Sequence, residues 1–116
     1  MKALLSTAFA FVLTMGLTTF AHASENITPI GELKRGTMVT VQGTVERITD
    51  EDEFRLADAT GSVRVYVGPN WVPVSQGDSV TVNGFVDDDI IGPKEIYARS
   101  LTKADGTEVM FDHRYD

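Results

Sequence analysis

From Thr37 onward the chain alternates apolar and polar residues with period two. Val39, Val41, Gly43 and Val45 share one face, while Thr40, Gln42, Thr44 and Glu46 share the other. That is the pattern of a strand covered on one side. Asp50-Glu51-Asp52-Glu53 interrupts it as a turn, and Phe54 and Leu56 resume the apolar face against Arg55 and Ala57. Asp58-Ala59-Thr60-Gly61 reads as a hairpin, with Gly61 expected to supply the positive φ common in short hairpin loops. Val63, Val65 and Val67 alternate with Arg64 and Tyr66 in a third strand. Pro69 and Pro73 keep the next connection out of any sheet centre. Val80, Val82, Gly84 and Val86 predict a fourth strand, and a loop from Asp87-Asp88-Asp89 to Gly92-Pro93 follows. A fifth strand carries Ile96 and Ala98 to about Leu101, and a hairpin through Ala104-Asp105-Gly106 offers Glu108–Phe111 as a sixth. Pro29–Lys34 is expected to form one helical turn ahead of them.

Five short strands in a chain of this size favour an all-β, closed five-stranded barrel over a flat sheet. A flat sheet exposes its edges, and glycines inside the first and fourth strands permit the sharp coiling that closure needs. The OB-fold is the barrel of this strand number. An immunoglobulin-like sandwich needs about seven strands.

The first 23 residues read differently. Lys2 is a minimal positive region, Ala3–Phe20 carries no charge, and Ala21-His22-Ala23 is a small-x-small cleavage pattern. The expected organisation is a signal peptide over 1–23 cleaved before Ser24, an N-terminal segment over 24–36, a barrel over 37–101 and a hairpin or tail over 102–116. Such a protein is exported to the periplasm as a soluble domain without a membrane anchor, a monomer or a weak oligomer.

Composition narrows the chemistry. The formal net charge is −7, and the leader removes only one charged residue, Lys2. An acidic chain is a poor match for nucleic acid, whose binding is driven by counterion release onto Lys and Arg. With no cysteine, disulfides, thiol catalysis and Cys-ligated zinc are excluded. After cleavage the only imidazole is His113, in the C-terminal tail, and no P-loop, GxSxG or HExxH pattern occurs. The expectation is a non-enzymatic protein without a cofactor.

The outward positions of the predicted strands carry the binding chemistry. If the valines point inward, then Arg55, Arg64, Tyr66, Tyr97 and Arg99 point outward. An OB barrel sets strand two beside three and three beside five, on the face where this fold binds oligonucleotides or oligosaccharides. Guanidiniums beside phenols suit sugar rings bearing carboxylate or phosphate, such as an envelope glycan. The alternative is plain cross-strand pairing of those arginines with Glu46, Glu53 and Glu95. A second candidate is the pair of acidic loops. Asp50, Asp52, Asp87, Asp88 and Asp89 are oxygen donors for calcium, or a surface for a cationic peptide or protein partner. Solubilising turns are their simpler role. Trp71, the only tryptophan, is expected to plug one end of the barrel, with a sugar-stacking role as the alternative.

Taken in order, the runs GTVERITD (Gly43–Asp50) and DATG (Asp58–Gly61), Trp71, and DSVTVNGFVDDD (Asp78–Asp89) form a recognisable set. The set resembles the bacterial OB-fold family of YgiW/YdeI-like periplasmic stress-tolerance proteins, over roughly Leu33–Leu101. Asp87-Asp88-Asp89 stands where the family commonly has Asp-Lys-Asp, and Ile90 where an aromatic is usual. The resemblance implies an exported, non-catalytic barrel linked to tolerance of envelope stress, and it supplies no catalytic residues.

Overall fold

The computed structural model describes residues 26–111. The expected leader and His113 lie outside them. Six strands follow a 3-10 turn at Ile30–Glu32: β1 (Met38–Asp50), β2 (Glu53–Asp58), β3 (Gly61–Tyr66), β4 (Ser79–Val86), β5 (Glu95–Lys103) and β6 (Glu108–Met110). They form one sheet in the order β3-β2-β1-β4-β5-β6, closed by a parallel β3–β5 pairing through Arg64–Glu95, Val65–Ile96 and Tyr66–Tyr97. This is a five-stranded OB barrel with β6 added beside β5. No helix among the described residues is long and apolar enough to cross a membrane.

Closure follows from β1, which serves two partners. Its first half, Met38–Thr44, pairs with β4, and its second half, Thr44–Asp50, pairs with β2. The strand must coil sharply where it changes partner, and Gly43 sits there. A Cβ on Gly43 would run into the Ala57 carbonyl, and one on Gly84 would lie 2.5 Å from the Tyr97 carbonyl oxygen. Both glycines are therefore demanded by close backbone approach. The core is the predicted inward set: Val41, Phe54, Leu56, Val65, Val82, Val86, Ile96 and Leu101 are fully buried or nearly so.

Two details differ from the sequence expectation. Gly61 does not take positive φ. The β2–β3 turn is held instead by the Asp58 carboxylate, which accepts hydrogen bonds from the Thr60 N–H (2.7 Å), the Thr60 hydroxyl (2.6 Å) and the Gly61 N–H (3.1 Å). Its other oxygen accepts the Ile30 N–H at 2.9 Å, and the Thr60 hydroxyl oxygen accepts the Gly31 N–H at 2.8 Å. The turn and the 3-10 segment are thus one network, in which an aspartate does the work expected of a left-handed glycine. Burial alone would raise the Asp58 pKa, but these four donors together hold it below the usual carboxylate value.

Trp71 is the second difference. It is 73% exposed and plugs nothing. Val74, buried, and Val72, packed against the core, close that end of the barrel. Smaller side chains suffice because Val72 donates its N–H to the Glu51 carbonyl (3.0 Å), drawing the connection flat against the β1–β2 turn.

The Asp58 network gives a first prediction. Asp58→Ala leaves four donors without their acceptor and should destabilise the barrel by about 2 kcal/mol at neutral pH. A carboxylate with a depressed pKa contributes stability above its unfolded value, 3.8, and loses it as pH falls through the folded value. Urea unfolding at pH 7 and pH 3 should therefore show the wild type and the variant converging in acid. Equal stabilities at pH 7 would contradict this role.

Candidate functional site

The β2–β3–β5 face gathers the outward side chains of three adjacent strands. Arg55 on β2 stands directly opposite Arg64 on β3, and Arg64 directly opposite Glu95 on β5. Tyr66 stands opposite Tyr97, their ring centroids 6.0 Å apart at 70°, an edge-to-face pair. Four of the five predicted face residues are thereby brought together. Arg99 is not. β5 bulges between Ala98 and Ser100, which face Gly84 and Asn83 of β4, and leaves Arg99 unpaired there. It lies beyond the last residue that β5 shares with β3, where its carbonyl accepts the Phe111 N–H.

A bulge on β1 adds a residue that the alternation hid. Val45 faces Leu56 and Arg47 faces Arg55, with Glu46 as the extra residue between them. Glu46 and Arg47 are both exposed. Strict period two assigns Arg47 to the interior; the bulge turns it out again. The result is a lateral row, Arg47–Arg55–Arg64, across three neighbouring strands. Directly opposed residues on one face stand about 5 Å apart at Cβ, and like charges so placed repel.

Carboxylates offset part of that charge. Arg55 Nε lies 3.6 Å from Glu46 Oε1, and Arg64 Nη1 lies 3.6 Å from Glu53 Oε2. The predicted cross-strand pairing is therefore real for both arginines, though long and partly exposed. Such pairs contribute roughly 0–1 kcal/mol and yield readily to a competing anion. Glu95 is the unusual member. Burial, a hydrogen bond with Glu53 and the charges of Glu53 and Asp87 push its pKa up to about 7, against the opposing pull of Arg64. Glu95, directly opposite Arg64, thus holds its proton to higher pH than an ordinary carboxyl.

The acidic loops do not gather into a metal centre. Among the described residues no group of three Asp, Glu or His side chains is placed to hold an ion. The reason is local: these carboxylates brace their own turns. Asp50 accepts the Glu51 N–H at 2.8 Å, Asp87 the Asp89 N–H at 2.9 Å, and Asp89 the Ile91 N–H at 3.1 Å. Trp71 stands outside the core. Its indole is exposed on the connection between Pro69 and Pro73, five residues past Tyr66 at the end of β3.

These features define a small OB-fold binding module, with an aromatic and guanidinium-bearing surface where this architecture receives its ligands. The sequence model of the bacterial OB fold (BOF) proteins matches residues 16–103, and the chain belongs to that family. Among solved structures it is similar to the hypothetical protein YgiW from E. coli, with 28% identity and a TM-score of 0.59. The match covers 70% of this chain and 92% of that one. No curated protein sequence matches.

Proposed function

We propose that this protein is an exported, non-catalytic binding module of the bacterial envelope that takes an anionic glycan on its β2–β3–β5 face and serves tolerance of envelope stress. The observation that carries the reading is the Arg47–Arg55–Arg64 row. Three like charges directly opposed across a sheet oppose folding, and an anionic ligand lying across the strands relieves that repulsion. Tyr66, Tyr97 and Trp71 supply flat surfaces for sugar rings beside the row, and the guanidiniums supply forked donors for carboxylate or phosphate. Membership of a family of binding barrels supports the module; the leader-like segment supports export.

Retention on purified peptidoglycan tests the ligand. Arg64→Ala should lower retention about tenfold, the loss of one charge-assisted contact. Trp71→Ala should lower it about threefold while leaving the melting temperature unchanged, because an exposed ring contributes little to folding. Retention should also weaken with added salt. Wild-type retention by Arg64→Ala, or no retention of the wild type, would reject the glycan reading.

A further inference from the structure

The face ends in a cleft that the strand pattern does not foretell. Its volume is about 300 Å³, and its walls come from three places: Ile30, Gly31 and Leu33 of the N-terminal segment, Ser62–Arg64 of β3 with Arg55 of β2, and Pro93-Lys94 of the β4–β5 loop. That volume is the lower limit for a ligand pocket, room for one substituent and not for a chain of sugars.

The walls are fixed to one another before any ligand arrives. On one side the Asp58 carboxylate and the Thr60 hydroxyl hold the Ile30 and Gly31 amides against the β2–β3 turn. A Cβ on Gly31 would come within 2.8 Å of the Thr60 carbonyl oxygen, so this wall approaches closely only because residue 31 is glycine. On the other side Arg35 donates to the Asp89 carbonyl and, at 2.6 Å, to the Gly92 carbonyl. The loop that carries Lys94 is thereby tied to the segment that carries Leu33. A second tie runs through the reciprocal backbone bonds from Gly36 N–H to Val86 O and from Val86 N–H to Thr37 O, both 2.8 Å.

The lining has a definite chemistry. Arg55, Arg64 and Lys94 bring three cations, and Ser62 brings a hydroxyl donor. Ile30, Leu33, Val63 and Pro93 supply apolar walls, which strengthen charge interactions by excluding water. Among the described residues Lys94 has no carboxylate within ion-pair distance, whereas Arg55 and Arg64 each have one. Among the described residues, carboxylates thus answer only part of the cleft's cationic charge.

We propose that this cleft is the subsite for a compact oxyanion, a carboxylate or phosphate group borne by the glycan. Lys94 and Arg64 neutralise it, and the Ser62 hydroxyl donates a hydrogen bond to it. This assignment rests on the glycan reading above and adds to it which substituent is recognised, and where. The Arg47–Arg55–Arg64 row then leads from the cleft across the barrel, so the charged group fixes the register of the sugar chain on the face.

Three probes compared by amide chemical shifts separate the possibilities: N-acetylglucosamine, N-acetylmuramic acid, and N-acetylglucosamine 6-phosphate. The two charged sugars should perturb Ser62, Arg64 and Lys94 saturably, and the neutral sugar should perturb only the Tyr66–Tyr97 region. The stronger of the two charged sugars identifies carboxylate or phosphate as the group recognised. Lys94→Gln and Ser62→Ala, both changes at surface positions, should weaken the charged sugars about fivefold and leave the neutral sugar unchanged. If the tyrosine region responds but Lys94→Gln binds all three sugars as the wild type does, the cleft assignment is wrong and the glycan reading survives. If none of the sugars perturbs either region, both fail.

Discussion

Replacing Gly43 by alanine should lower the melting temperature by about 15 °C. The added Cβ would run into the Ala57 carbonyl and approach its carbon at 3.0 Å, and neither atom belongs to a flexible side chain. Relief requires β1 and β2 to move apart where β1 changes partner, which disturbs the ladder that closes the barrel. Overpacking of this kind costs up to about 3 kcal/mol. In a domain of this size each kcal/mol corresponds to roughly 4–8 °C. Gly61→Ala is the matched control. Gly61 has no positive φ, and a methyl group added there would find nothing closer than 3.9 Å. At that position alanine should be neutral or stabilising by a few tenths of a kcal/mol, since it restricts the unfolded chain. Thermal unfolding of the two variants side by side checks both, and equal losses would contradict the close-approach account of Gly43.

Glu95 should make the barrel more stable in mild acid than at pH 8. Its pKa in the folded protein is pushed up to about 7, from an ordinary 4.5, by burial and by Glu53. A carboxyl whose pKa rises on folding contributes stability that is fully present below its unfolded value and is lost as pH climbs through the folded one. The window is therefore pH 4.5 to about 7. Allowing for screening by the water that reaches this pair, the change across it is about 1–2 kcal/mol. Glu95→Gln keeps the shape and removes the titration, so it should flatten the profile and exceed the wild type in stability at pH 8. The same ionisation bears on binding, because ionised Glu95 competes for Arg64. Anion affinity should accordingly rise as pH drops from 8 to 6 in the wild type, and stay level in Glu95→Gln. A wild-type stability that is flat between pH 5 and pH 8 would contradict the raised pKa of Glu95.

The inward face of the barrel is legible in the sequence because burial acts on every second residue. Val39, Val41, Val45, Phe54, Leu56, Val63, Val65, Val80, Val82, Val86, Ile96 and Ala98 all lie where alternation puts them. The outward face is legible only between bulges. Nothing in Val45-Glu46-Arg47 announces an extra residue, yet that residue moves Arg47 from the interior to the end of the arginine row. The bulge at Arg99 has the opposite effect and removes a predicted member from β3. The cleft is hidden for another reason. Ser62 and Lys94 are ordinary surface residues in the chain; the β3–β5 register brings them to one end of the face, and the ties made by Asp58 and Arg35 set the N-terminal segment and the β4–β5 loop around them. The size of Trp71 argues for burial, but the flatness of its connection, set by the Val72–Glu51 backbone bond, leaves the end of the barrel to valines.

A chemical-shift titration of labelled protein with soluble peptidoglycan fragments tests the central claim most directly. Saturable shifts should cluster at Arg47, Arg55, Arg64, Tyr66 and Tyr97, and the outward threonines of β1 and β4, Thr40 and Thr81, should stay still. Shifts confined to Thr40 and Thr81, or no shifts at saturating fragment, would contradict a glycan-binding β2–β3–β5 face.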